Sequence, residues 1–242
     1  RSEHKVFNTA DAISVTTAET HQAYATRFSN CATKIYVIPP LLSIQEELEG
    51  YPPIFPRDDM IRLVYVGRLY ADGRRPDFLL KLFTILLQTP LEDRIELHFF
   101  GDARAVEESF VAYNSLINEK IFLHGQVEHD IAARAMYDAS VLINIGNKSP
   151  YQLPSKVVEY ASTGKPILNI AQIECDSSMG FFKSYPVVIN LIDTGGSNIE
   201  NQAEDLFNFL SHLPEQLDTK YVNETLMPFQ IDAIAAMYLD II

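Results

Sequence analysis

The sequence is poor in cations: Lys and Arg total 19 against 32 Asp and Glu, a formal net charge of -13. A surface that acidic repels phosphate backbones and excludes nucleic acid as an expected partner. It also disfavours docking of this chain on an anionic membrane. Any phosphate site must be a local exception, built from a few placed cations and helix N-termini. Cysteine is scarce too. Cys31 and Cys175 stand apart, with no CxxC pair and no histidine cluster beside them. That argues against a disulfide framework or a zinc site, and for two reduced, partly buried thiols in a cytoplasmic setting. In that setting the sequons at Asn147 and Asn223 carry no meaning. No apolar run approaches the roughly 20 residues that span a bilayer, and no signal peptide is visible. Asp58-Asp59 is not a DxD motif, no carboxylate cluster offers itself to magnesium, and there is no internal repeat. An initial Met is lacking as well. A chain that opens on Arg1 reads as a fragment of something longer.

What is present is a globular composition. Of the 242 residues 47% are hydrophobic and 21% charged, enough to close a sizeable core. Short continuous apolar runs at Arg62–Val66, Ile95–Phe100, Ile121–His124, Val141–Ile145, Pro166–Ile170 and Val187–Leu191 alternate with helical patterns. Continuous rather than alternating apolar character marks strands covered on both faces. The helical stretches are Pro76–Gln88, Ala103–Leu116, Asp130–Asp138 and Pro154–Ser162; the first has Pro at its first position and a broad apolar face. The alternation predicts an α/β fold, a doubly wound, Rossmann-like parallel sheet of about six strands. Residues 1–42 hold strand-like Ile13–Thr17, helix-like Glu19–Phe28 and strand-like Lys34–Ile38, and the Pro-rich, acidic stretch 42–60 reads as a connector. Glu200–Leu213 and Leu226–Ile242 read as amphipathic helices.

Open parallel sheets bind ligands beyond the carboxyl ends of their strands. The residues there are Gly67-Arg68 and Arg74-Arg75, then Gly101-Asp102, then Gly125-Gln126-Val127, then Gly146-Asn147-Lys148 followed by Pro154–Tyr160 and Gly164-Lys165-Pro166. The run VYVGRL, a basic residue before a helix, FFG, HGQV and PSKVVEYASTGKPIL, in that order, resembles the C-terminal domain of group 1 (family 4-like) GT-B glycosyltransferases. DAISVTT…KIYVIPP looks like the end of that family's N-terminal domain leading into the interdomain linker. The resemblance implies domain limits of 1–42 for that tail and linker, 43–222 for the donor-nucleotide domain and 223–242 for a helix crossing back. One departure stands out. The first acidic residue of the family's Glu-x7-Glu pattern falls on Tyr151, while Glu159 matches the second. Contacts to the donor sugar are thereby left open.

The resemblance implies a site for a nucleotide-diphosphate sugar, with no separate cofactor and no metal. Arg68 and a basic residue before the helix, Arg74 with Arg75 as its rival, would face the diphosphate, where guanidinium forks suit phosphate oxygens. Gly67 would let the backbone approach. Ser155 and Lys156 lie at a helix start whose dipole favours an anion, and Glu159, one turn on, would accept from the ribose hydroxyls. Main chain near Val127 would meet the base edge. His124 and His129 read as structural or exposed. The competing reading of Lys156 and Glu159 is a surface ion pair on a solvated helix. The implied function is transfer of a sugar, retaining and metal-independent, in cytoplasmic polysaccharide assembly. A glycan or lipid-linked acceptor would be held by the missing N-terminal half, which could also supply peripheral membrane contact. The alternatives are another GT-B enzyme, such as an epimerase, and a non-catalytic nucleotide- or protein-binding module.

Overall fold

A computed structural model describes residues 2–42 and 51–241. Part of the connector expected over 42–60, residues 43–50, lies outside the described residues. The chain opens with helix α1 (Ser2–Thr9), strand β1 (Ile13–Val15), helix α2 (Ala18–Arg27) and strand β2 (Ile35–Val37). β1 and β2 pair in parallel over a small core of Phe7, Val15, Phe28, Cys31 and Ile35. α1 is absent from the sequence expectation because its apolar face is narrow: Phe7 enters this core, and His4 lies edge-on against the Phe28 ring. Of the two thiols Cys31 is buried and bonds the Phe7 carbonyl, whereas Cys175 is exposed, so the expectation of two partly buried thiols fits neither.

The main unit is a six-stranded sheet in the order β5-β4-β3-β6-β7-β8, every pair parallel. Its elements are β3 (Ile61–Val66), α3 (Asp77–Leu86), β4 (Ile95–Phe100), β5 (Ile121–Gly125), α4 (His129–Asp138), β6 (Val141–Ile145), α5 (Lys156–Ser162), β7 (Ile167–Ala171), α6 (Ser177–Phe181) and β8 (Val188–Ile192). Three helices follow: α7 (Ile199–Ser211) and α8 (Thr219–Leu226) pack on the sheet, and α9 (Ile231–Leu239) brings the Tyr238 hydroxyl 3.5 Å from that of Ser14 in β1. All residues of β3, β6 and β7 are buried, as continuous apolar runs require when helices cover both faces. On one face α3 sets Phe78, Leu79, Leu82, Phe83 and Leu86 against the strands beside α7. Each such side chain contributes about 1.5–3 kcal/mol on burial. On the other face α4, α5 and α8 close over Val64, Phe100, Leu142 and Ile167. An asparagine ladder, Asn144 to Asn169 to Asn190, runs across β6, β7 and β8, buried at its first two members and exposed at Asn190, and ties their register.

Two expected helices differ from the structure. The stretch 103–116 forms a 3-10 helix over Arg104–Tyr113, broken at Val106, where φ is -138°. The Asp102 carboxylate accepts from the Arg104 amide at 3.0 Å, a local turn that competes with the α-helical ladder. The terminal helix expected over Leu226–Ile242 is instead a 3-10 turn at Met227–Phe229 containing Pro228 followed by α9, and α8, which ends at Leu226, is a helix the sequence pattern does not announce. Proline removes an amide from the ladder there and divides the run.

Candidate functional site

The strand order reverses between β3 and β6, and there the sheet opens. β3 pairs with β6 only as far as Tyr65↔Ile143, while it stays paired with β4 to Val66↔Phe100. The two strands part at their carboxyl ends, the position of the ligand crevice in folds of this type. The rim is stitched by main-chain bonds: Gly67 N–H to the Phe100 carbonyl, Gly101 N–H to Gly125, and Gly146 N–H to Ile170. Gly101 has φ +143°, and a Cβ there would sit 2.0 Å from the Gly67 carbonyl oxygen. Only glycine permits that approach of two loops.

The basic residues after β3 separate by their partners. Arg75 is saturated: it donates to Asp77 at 2.8 Å, Glu108 at 3.0 Å and Ser109 at 3.0 Å, all toward the face of α3. Arg74 instead turns across the crevice and donates Nε–H to Asn147 Oδ1 at 3.1 Å. Asn147 also donates to the Gln152 carbonyl, so one amide links the loop after β3 to both ends of the loop after β6. In the sequence Asn147 carries no role of its own beyond its place in the loop after β6, just after Gly146. Arg68 is 57% exposed and lies 3.7 Å from Asp102, with its guanidinium over the Tyr70 ring. Asp102 is otherwise engaged by Arg104, whose hydrogen bonds hold its carboxyl well below the usual range. Arg68 is therefore held loosely. Burial pushes the Tyr65 phenol up to about 12, against the lowering effect of nearby Arg74.

On the opposite wall α5 begins at Lys156 rather than at Pro154, with Ser155 before it as an exposed cap residue whose side chain makes no capping bond. The amides of Val157 and Val158 bond the carbonyls of Pro154 and Ser155, in a tight first turn. Lys156 and Glu159 form an ion pair through Nζ and Oε2, 28% and 17% exposed at their side chains. That is the pairing of the competing reading, but it is half-buried at the crevice wall rather than solvated. It engages one carboxylate oxygen and leaves Oε1 for a further donor. Val127, after β5, packs its side chain partly buried among the apolar residues under α4, so its main chain is what remains for a ligand.

Two neighbouring features complete the rim. A cavity of about 450 Å³ opens at the carboxyl ends of β4 and β5, walled by Phe99, Phe110 and Leu123 with Arg104 and Gln126. On the far side the loop carrying Tyr151 is held by the N-terminal unit: the hydroxyls of Thr17 and Thr20 both donate to its carbonyl. His124 bonds the buried His98 at 3.1 Å below the rim, and His129 is exposed at the start of α4. Among the described residues no group of three or more His, Cys, Asp or Glu lies together in a metal-binding arrangement.

Residues 61–175 match the family model described as Glycosyl transferases group 1. No curated protein matches the sequence. Among solved structures the chain is similar to TarM of S. aureus, at 13% identity and TM-score 0.68, covering 99% of this chain and 46% of that one. It is similar to the pneumococcal O-GlcNAc transferase GtfA in complex with UDP and GlcNAc, at 14% identity and TM-score 0.68, over 98% of this chain and 46% of that one. Sucrose-phosphate synthase from Thermosynechococcus elongatus matches at 19% identity and TM-score 0.69, over 98% of this chain and 59% of the other. At these identities the likeness to each structure is one of fold, and the chain spans about half the length of the first two. The sheet domain thus carries a match to group 1 glycosyl transferases over residues 61–175 and has the Rossmann-like fold of these structures.

Proposed function

We propose that this chain is the donor-binding half of a glycosyltransferase that moves a sugar from a nucleotide-diphosphate sugar to an acceptor held by a second domain. The observation that carries this reading is the crevice between β3 and β6. Two sparsely engaged arginines, Arg68 and Arg74, stand on one wall, and the Lys156–Glu159 pair stands on the other. GtfA in complex with UDP and GlcNAc supports a nucleotide in a fold of this kind.

In this reading the diphosphate sits between Arg68, Arg74 and Lys156, with Gly67 allowing close approach of the backbone. Glu159 accepts from the ribose hydroxyls through Oε1, and Ser155 adds its hydroxyl and amide. The base extends toward Gln126 and the main chain of Val127, beside the cavity at Phe99. As the glycosidic bond breaks, negative charge grows on the departing diphosphate, and fixed cations stabilise that charge without rearranging. The same cations supply the neutralisation that a metal would, which is why we infer a metal-independent reaction. A retaining outcome and a role in cytoplasmic polysaccharide assembly are inferred from the family. Tyr151 in place of an acidic residue favours one second reading, a non-catalytic nucleotide-binding module.

Calorimetric titration of the 242-residue chain with UDP, GDP and dTDP tests the proposal. Binding of one of them with micromolar to millimolar Kd, without added metal, is the expected result. Absence of binding by all three removes the donor site. The isolated chain should transfer no sugar; activity of the longer parent then separates a transferase from a binding module.

A further inference from the structure

Where β3 and β6 part, the ladder leaves the Val66 amide and carbonyl without a strand partner on that side. Both are met by one side chain. The Val66 N–H donates to the Tyr160 hydroxyl at 3.0 Å, and that hydroxyl donates to the Val66 carbonyl at 2.9 Å. Tyr160 comes from α5 and is 1% exposed. Burial pushes its phenol far above the ordinary tyrosine value, so it stays neutral, able to donate and accept at once.

Its place in the chain gives this contact its meaning. Tyr160 follows Glu159 directly and lies about one turn beyond Lys156, and Val66 is followed by Gly67-Arg68. One buried hydroxyl thus joins the two walls of the crevice at its floor. Above it the walls are joined by the Arg74–Asn147 bond, which is more exposed. We infer that Tyr160 is a positioning residue for the nucleotide-diphosphate site: its hydroxyl sets the separation between the Lys156–Glu159 wall and the Gly67-Arg68 wall. The inference rests on the proposed donor site.

The test is Tyr160→Phe, which keeps the ring and removes the oxygen. A matched control is Tyr185→Phe, because Tyr185 is also buried and donates to the Lys165 carbonyl at 2.7 Å, away from the crevice. Both variants should lose thermal stability, as each leaves a main-chain group without its partner. Only Tyr160→Phe should weaken NDP binding, by tenfold or more. Combined with Glu159→Gln it should lose less than the product of the two single effects, because Tyr160 acts through the wall that carries Glu159. Equal NDP affinity in wild type, Tyr160→Phe and Tyr185→Phe would overturn the positioning role while leaving the donor site intact. Absence of NDP binding by the wild type overturns the donor site and the positioning role with it. Should Tyr160→Phe fail to fold, hydrogen exchange on the wild type decides. Saturating NDP should slow the Val66 amide at least tenfold more than the amides of Ile167–Ala171. Equal slowing of both sets overturns the inference.

Discussion

Two charged networks sit on the same half of the sheet and show how similar residues come to different uses. At the amino end of β3, Arg62 is 7% exposed at its side chain and donates to both oxygens of Asp58 at 2.7 Å, to Glu96 at 2.9 Å and to the Pro56 carbonyl. Glu96 continues to His98 at 3.2 Å and His98 to His124 at 3.1 Å, under the rings of Phe55, Phe100 and Phe122. Nearly every donor there has a partner, and the network straps the connector around Phe55–Asp58 to the sheet. At the carboxyl end Arg68, Arg74 and the Lys156–Glu159 pair are fewer, more exposed and only partly engaged. A buried, saturated cation holds structure. A half-engaged one at the end of a strand is free to exchange its partner for a ligand.

The largest effect should come from breaking the saturated network. Arg62→Ala should cost about 2–4 kcal/mol in chemical denaturation, less than for a fully buried pair because Asp58 keeps some water. NDP affinity of the folded variant should equal that of wild type. A loss of affinity larger than the loss of stability would erase the distinction between the two networks.

The converse experiment is on the crevice wall. Glu159→Gln should weaken NDP binding by roughly 1.5–3 kcal/mol, the worth of hydrogen bonds to a charged group. The loss should shrink with a 2′,3′-dideoxy ligand. Lys156→Ala should be severe for NDP and slight for the nucleoside, which lacks the phosphates that a cation would hold. If the two form only a structural pair, calorimetry will show three proteins of equal affinity.

Acid should find the buried network first. Burial brings His98 down from 6.5 to about 4, with Glu96 opposing and His124 and Arg62 adding to the fall. The unfolded chain takes up a proton near 6.5 while the folded one refuses it until about 4. Stability is therefore full above pH 6.5 and declines through this window, by roughly 1–3 kcal/mol at its lower end. In His98→Phe the decline should flatten, a change read from Tm against pH. An unchanged slope would show that the titrating group lies elsewhere.

The smallest contrast is the most local. Arg74→Ala should lower NDP affinity several-fold with little change in stability. Arg75→Ala should cost no more than about 1 kcal/mol of stability, the range for partly exposed pairs, and leave affinity alone. Reversal of that order would put Arg75 in the site.

Much of this was legible in the sequence. Continuous apolar runs such as Val141–Ile145 announce strands covered on both faces, and the apolar face of Pro76–Gln88 announces a packed helix; both signals are local, carried by residues a few positions apart. The order of the loops after each strand was enough to mark Arg68, Lys156 and Glu159 for inspection. What the sequence alone left open were choices between side chains of the same kind and pairings across long separations. Whether Arg74 or Arg75 turns into the crevice is decided by Asn147, 73 residues away. Tyr160 reads locally as one more apolar position of α5, and only the parting of β3 and β6 brings it to Val66, 94 residues back. The His98–His124 contact exists because β4 and β5 lie side by side, with a register shift at Phe99/Phe100 that leaves His124 as the extra residue of β5. Periodicity along the chain reports which face of an element is buried. Which residue waits on the other side is set by strand order and register, and these emerge only when the whole sheet closes.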